Sequence, residues 1–268
     1  MLTKMYLTNF LSFLDRTEFD FTASRYSILG ETNVYNSEVL KGALFIGPNA
    51  SGKSNALEGI AFLINLIKGE GTSFENFRCF FTKNAITTVE YEFIFQNKRV
   101  VYRIEYNIKS KNISEDLSID GVIVLKRTGT SGELRINASV TQDDQLDGET
   151  LFLRTASFNT GRFPQEPVLR ELMDYLLNSY CIDEYNQDAH WGKNITKYAE
   201  EHGVEKINNY LQDFNYDFFI EYGSESQGEG LKVSIGSDKK SVFLKRKSFP
   251  IPNVFFKESQ GNQVFMDM

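Results

Sequence analysis

Gly47-Pro48-Asn49-Ala50-Ser51-Gly52-Lys53-Ser54-Asn55 fits G-x-x-x-x-G-K-[ST], the pattern of a phosphate-cradling P-loop. Its flanks suit the pattern. Ala43-Leu44-Phe45-Ile46 is a short apolar run and reads as a buried strand entering the loop, central and parallel in its sheet. After Ser54, the residues from Ala56 to Ile67 are mostly apolar, so Lys53 to Lys68 reads as a largely buried helix that Gly69 can stop. The glycines let successive backbone N–H groups curl toward one oxygen cluster, and the helix N-terminus adds partial positive charge. In this pattern Lys53 reaches the β- and γ-phosphates, and the Ser54 hydroxyl ligates Mg²⁺. Gly47, Asn49, Ala50, Ser51, Gly52, Lys53, Ser54 and Asn55 are therefore the candidate nucleotide-binding residues, with Ser54 the metal ligand. A Gly/Ser-rich turn matching by accident is the competing reading, and the apolar flanks speak against it.

The variable positions narrow the class. Pro48-Asn49-Ala50 within the loop and Asn55 after it resemble the G-P-N-x-[SA]-G-K-[ST]-N loop of ABC-type ATPases of the SMC, RecF and OLD-nuclease group. Upstream, Met5-Tyr6-Leu7-Thr8-Asn9-Phe10-Leu11-Ser12-Phe13 is similar to the "hydrophobic-x-N-F-x-S-F" first strand of those heads. Together the two segments resemble the amino-terminal half of an AAA-family ATPase of the RecF/OLD-like, abortive-infection type. Beyond the first ~70 residues the likeness is one of layout, including Glu115-Asp116-Leu117 as a Glu-x-Leu element. It implies an α/β P-loop fold with an ABC-type head, an antiparallel β-lobe and a helical insertion. It also implies ATP and Mg²⁺ as ligands, and ATP binding coupled to head dimerisation. The expected partners are a second copy or another ATPase half, with nucleic acid or an effector protein as further candidates, in a DNA-related or phage-defence setting.

The 268 residues suffice for one large domain or two lobes, and 41% hydrophobic content with 23 Phe and 13 Tyr can build a substantial core. Cys79 and Cys181 lie far apart without metal-ligand spacing. With only His190 and His202 available, a Cys/His zinc site is not expected, and both cysteines read as buried or partly buried free thiols of a cytoplasmic protein. No signal peptide or membrane span is apparent. The net charge of −7 opposes a generally basic nucleic-acid coat without excluding a local patch.

Along the chain, Met5 to Phe10 and Thr17 to Phe21 read as strands, and Thr22 to Glu38 as a polar loop with a weak strand at Tyr26 to Leu29. The aromatic-rich stretch Thr72 to Asn84 is expected to pack on the core. Two alternating runs, Val89 to Phe95 and Tyr102 to Ile108, predict an antiparallel hairpin, and Asp120-Gly121 predicts another between Leu117-Ile119 and Val122-Leu125. Thr128 to Thr150 reads as a surface excursion with a strand at Leu134 to Val140, and Leu151 to Phe158 as a strand. Pro167 opens a helix with Leu169, Leu172, Met173 and Leu176 on one face. A second helical stretch runs from Asn194 to Leu211, broken near Gly203. Short strands follow at Phe218, Leu231, Val242, Val254 and Val264. The expected division is a P-loop core with β-lobe over 1–160, a helical insertion over 161–215 and a β-rich return over 216–268.

An ATPase of the resembled type also needs a Walker B strand, a signature loop and commonly a late His. Tyr180-Cys181-Ile182-Asp183-Glu184 is the nearest Walker B candidate, although Asn178 and Ser179 break the apolar run and the acids could sit just past a helix. Glu258-Ser259-Gln260-Gly261-Asn262 resembles the E-S-x-G-T signature, yet also reads as a hairpin turn, and Glu225 to Glu229 is a similar polar loop. The resemblance thus implies the front portion of a longer ATPase, truncated before Walker B. Gln96 and Asn159 are candidate Q-loop residues. Lys239-Lys240 and Lys245-Arg246-Lys247 form a basic cluster that could touch phosphates or simply line a solvated strand face. Trp191, beside His190, could stack on a partner or pack internally. Two rivals to the ATPase reading stay open: a regulatory module that holds nucleotide without turnover, and a small-molecule kinase. Kinases usually carry the loop on their first strand, whereas Met1 to Gly42 precede it here. No N-K-x-D element appears, which argues against a GTPase.

Overall fold

The computed structural model describes residues 1–24, 30–36, 38–70, 73–137, 139–181, 193–228, 231–234, 239–247 and 252–254. They fall into two compact units, Met1–Cys181 and Ile182–Met268.

The first unit is built on eight antiparallel strands. They are β1 (Leu2–Thr8), β2 (Thr17–Asp20), β5 (Ile86–Phe95), β6 (Lys98–Asn107), β7 (Asn112–Ile119), β8 (Val122–Thr128), β9 (Ser131–Ile136) and β10 (Ser139–Asp143). Their order is β10-β9-β8-β7-β6-β5-β1-β2. A short helix α1 (Gly30–Asn33) and a small hairpin of β3 (Val34–Tyr35) and β4 (Val39–Leu40) follow β2 in the chain. Helices α2 (Lys53–Lys68), α3 (Phe152–Phe158) and α4 (Pro167–Leu177) complete the unit.

The strand periodicity explains the core. Val89, Tyr91, Phe93 and Phe95 of β5 and Val100, Tyr102, Ile104 and Tyr106 of β6 are buried, and they share one cluster with Phe62, Leu63 and Ile67 of α2 and Leu172 of α4. Both expected hairpins form. Gln96 and Asn97 (φ 52° and 60°) turn β5 into β6, and Asp120 and Gly121 (φ 50° and 81°) turn β7 into β8. Paired left-handed residues give the turn whose twist matches the strands. On α2, Tyr91 donates its hydroxyl to Gly59 O at 2.6 Å, and burial pushes that phenol's pKa up. Gly69 (φ 75°) stops α2 as expected.

Several expectations change. Ala43–Ile46 forms no strand, central or otherwise, and every pairing in the eight-stranded sheet is antiparallel. Leu44 and Ile46 are each 84% exposed, while Phe45 packs on Phe19 and Phe21. An apolar run becomes a strand only with a neighbour to complete its ladder, and no described strand pairs with this one. Leu151–Phe158 is helix, with Phe152, Leu153 and Ala156 buried. Thr128–Thr150 extends the sheet through the β9–β10 hairpin, burying Leu134, Ile136 and Leu146. In Thr72–Asn84, Phe74 joins the core and Phe77 packs on it, but Phe80 and Phe81 are exposed. Tyr26–Leu29 lies outside the described residues.

Glu115 explains the helix at 152–158. It is fully buried, and its carboxylate accepts the Phe152 and Leu153 backbone N–H groups at 2.6 and 3.2 Å. It also accepts the Tyr102 hydroxyl at 2.6 Å and Arg127 Nη1 at 3.2 Å. An anion at a helix N-terminus satisfies donors that have no partner within the helix. Arg127, itself buried, donates further to the carbonyls of Gly129, Thr150 and Asp147, tying down the segment that leads into α3.

Gly132 in β9 marks a close approach. A Cβ there would lie 2.7 Å from Leu146 Cδ1 and 2.8 Å from Phe152 Cδ1, and the Phe152 side chain has no room to retreat. Gly132→Ala is expected to cost about 1–3 kcal/mol by overpacking, measured by urea unfolding. Unchanged stability would mean the α3 contact is looser than described.

In the second unit, α5 (Lys193–His202) and α6 (Glu205–Asp213) are separated at Gly203 (φ 76°), as expected. Among the described residues five strands follow, β11 (Phe218–Gly223), β12 (Glu225–Gly228), β13 (Leu231–Ser234), β14 (Ser241–Arg246) and β15 (Asn253–Val254). They form a β11-β14-β15 sheet and a β12-β13 hairpin. Ile195, Ala199, Leu211, Phe218, Ile220, Val242 and Leu244 make its core. The Asn208 side chain exchanges two hydrogen bonds with the Ile220 backbone, clamping α6 to β11.

Candidate functional site

The segment from Gly47 to Ser51 is exposed, and it enters α2 through Gly52. Two positions adopt left-handed backbone, Ala50 (φ 62°) and Gly52 (φ 92°). At Gly52 a Cβ would also press on the Phe13 ring and Ser12 Oγ at 3.2 Å each, so glycine is required there on two counts. At Gly47 a Cβ would meet Ser51 Oγ at 2.8 Å. The loop is internally braced: Ser51 N–H donates to Pro48 O at 3.3 Å, and Ala56 N–H to Gly52 O at 2.9 Å. Among the described residues no side chain caps the start of α2. The first-turn amides thus remain available to an acceptor from outside.

Lys53 folds back over this loop. Its Nζ donates to Gly47 O at 2.9 Å and Pro48 O at 2.8 Å. An ammonium on two neutral carbonyls, beside an uncapped helix N-terminus, gains by exchanging them for anionic oxygens. Ser54 is exposed on the first turn of α2, and Asn55 Nδ2 donates to Ser12 Oγ at 2.8 Å. The tight Gly47, the left-handed Ala50 and Gly52, the uncapped helix and the inward Lys53 fit a polyphosphate. Ser54 is the loop residue whose hydroxyl would serve as a ligand to Mg²⁺. Among the described residues no cluster of three or more His, Cys, Asp or Glu could hold a metal by itself.

The upstream N-F-x-S-F segment finds its purpose here. Its residues form the tight β1–β2 turn, with Phe10 and Phe13 exchanging backbone hydrogen bonds at 2.9 and 2.8 Å. Asn9 is buried, and its Nδ2 donates to Asn84 O and Ile86 O, fastening the turn to the start of β5. In the sequence these residues stand out only as a resemblance, and their contact with the loop appears only in the fold. Side-chain spacing within the segment carries no trace of a partner 43 positions away.

Other candidates are placed elsewhere. Gln96 sits in the β5–β6 turn, where its Nε2 donates to Glu171 at 2.9 Å. Asn159 ends α3 and accepts the Arg162 and Phe163 backbone N–H groups. No hydrogen bond among the described residues links either to the loop. Glu225–Gly228 is strand β12, not a loop, and buried Ser226 donates to Glu221. Within the basic cluster, Lys245 is paired with Glu221 at 2.7 Å. Asp183, Glu184, His190, Trp191 and Glu258–Asn262 lie outside the described residues.

Residues 43–156 match the family model described as "AAA domain, putative AbiEii toxin, Type IV TA system". The match spans the loop, α2, the sheet from β5 to β10 and most of α3, and it supports an AAA-type P-loop nucleotide-binding domain. No curated protein matches the chain. Among the described residues no helix is long and apolar enough to cross a membrane.

Proposed function

We propose that this chain binds MgATP through Gly47–Asn55 and serves as the nucleotide-binding portion of an ABC-type ATPase of the RecF/SMC/OLD-like group. ATP binding there is coupled to head dimerisation, in a cytoplasmic phage-defence or DNA-related system of the abortive-infection type. The observation that carries the reading is the seat of Lys53 on the Gly47 and Pro48 carbonyls at the mouth of an uncapped helix. The abortive-infection wording of the matching family supports the setting.

Lys53 and the first-turn amides hold and orient the phosphates, and Ser54 holds the metal. Mg²⁺, when bound, neutralises charge developing on the phosphate oxygens. Binding of a fluorescent ATP analogue is expected to tighten with Mg²⁺, and Ser54→Ala is expected to remove most of that gain while sparing metal-free binding. Phosphate release by this chain is expected far below ~1 s⁻¹, because a general base and a partner's signature loop commonly contribute ~10² or more each. Light scattering with and without ATP should show no stable dimer of this chain alone. Turnover near ~1 s⁻¹ would overturn the reading of this chain as one portion of a longer ATPase and make Asp183 and Glu184 the first pair to mutate. Tight binding with no turnover in the presence of every partner would instead identify a nucleotide-holding module.

A further inference from the structure

We propose that Ser12 is a positioning residue for the phosphate-binding loop, an inference that rests on the nucleotide-binding reading above. Apart from the helical bonds of α2 itself, Asn55 Nδ2 to Ser12 Oγ at 2.8 Å is, among the described residues, the hydrogen bond that ties the loop to another part of the chain. Phe13 adds a packing contact, since its ring lies against Gly52 at the same end of α2.

Ser12 can act as a strut because its own turn is fixed. Leu11 N–H donates to Phe77 O at 2.7 Å, and Asn9 N–H to Leu14 O at 3.1 Å. Phe10, fully buried, meets Phe62 of α2 edge-on at 5.5 Å and stacks on Phe77 at 5.3 Å. The turn therefore holds α2 at two points. Phe10 grips its middle through the core, and Ser12 grips its exposed first turn through Asn55. The first point serves stability. The second lies at the surface and fixes only the direction in which the first-turn amides and Lys53 face. Holding those donors in place before the phosphate arrives lowers the ordering cost of binding.

The test uses a fluorescent ATP analogue, with thermal melting of the nucleotide-free protein alongside. Ser12→Ala is expected to weaken binding about fivefold, the worth of one hydrogen bond, while leaving the melting temperature of the free protein unchanged. Ser12→Thr, which keeps the oxygen, should restore binding. Asn55→Ala should weaken it at least as much, and adding Ser12→Ala to Asn55→Ala should cost nothing more. Full affinity in Ser12→Ala, or losses that multiply in the double variant, would overturn the inference. Lys53→Ala separates the two levels. If Lys53→Ala weakens binding and Ser12→Ala does not, the strut alone is wrong. If Lys53→Ala binds like the wild type, the nucleotide-binding reading itself fails.

Discussion

Arg127→Ala is expected to destabilise the first unit by about 3–5 kcal/mol, the usual cost of removing one partner from a buried ion pair. Arg127 and Glu115 are 1% and 0% exposed at their side chains, so neither charge can fall back on water. The truncation also strips donors from the carbonyls of Gly129, Asp147 and Thr150, which the guanidinium alone gathers. Glu115→Ala should cost a similar amount for the reciprocal reason, leaving Tyr102, Arg127 and the first amides of α3 without an acceptor. The Tyr102 hydroxyl remains a donor throughout the physiological range, because burial first and the Glu115 charge second push its pKa well up. Replacing both members of the pair by Met should cost less than the sum of the two single truncations, since no unpaired charge is left behind. Urea unfolding of the three variants checks this. A double variant as unstable as the sum of the singles would mean that the two side chains act independently.

Lys53→Ala is expected to lower ATP affinity by about ten- to a hundredfold, as befits hydrogen bonds from a charged group worth about 1.5–3 kcal/mol. The same change should leave folding intact. Among the described residues Lys53 donates only to two loop carbonyls, Gly47 O and Pro48 O, and those carbonyls sit in an exposed segment where water can replace it. A loss of binding with an unchanged unfolding curve is therefore a statement about the site. Parallel losses of both would mean that Lys53 holds the loop together and say little about phosphate.

Much of this architecture is visible in the residue pattern, and the exceptions have physical causes. The two hairpins were legible because alternation and turn chemistry are local, as at Asp120-Gly121. Helix α4 was legible because Pro167 and a single apolar face agree. The P-loop was legible as a spacing, and the left-handed Ala50 and Gly52 are its backbone counterpart. Ala43–Ile46 misled because an apolar run does not say whether a neighbouring strand is there to pair with it. Leu151–Phe158 misled because a short apolar run is compatible with either a buried strand or a buried helix turn. What decides between them is Glu115, a carboxylate 37 residues upstream that supplies the helix with its missing acceptor. The contact of Ser12 with Asn55 was hidden for the same reason: it depends on tertiary placement that no local pattern encodes.

The central claim is that Gly47–Asn55 recognises the phosphates of ATP. Calorimetric titration of the intact chain with ATP, AMP and adenosine, each in the presence of Mg²⁺, tests it most directly. Phosphate recognition predicts one ATP per chain, far weaker binding of AMP and none of adenosine, with the ATP heat greatly reduced in Lys53→Ala. Equal affinities for ATP and adenosine, or for wild type and Lys53→Ala, would contradict it.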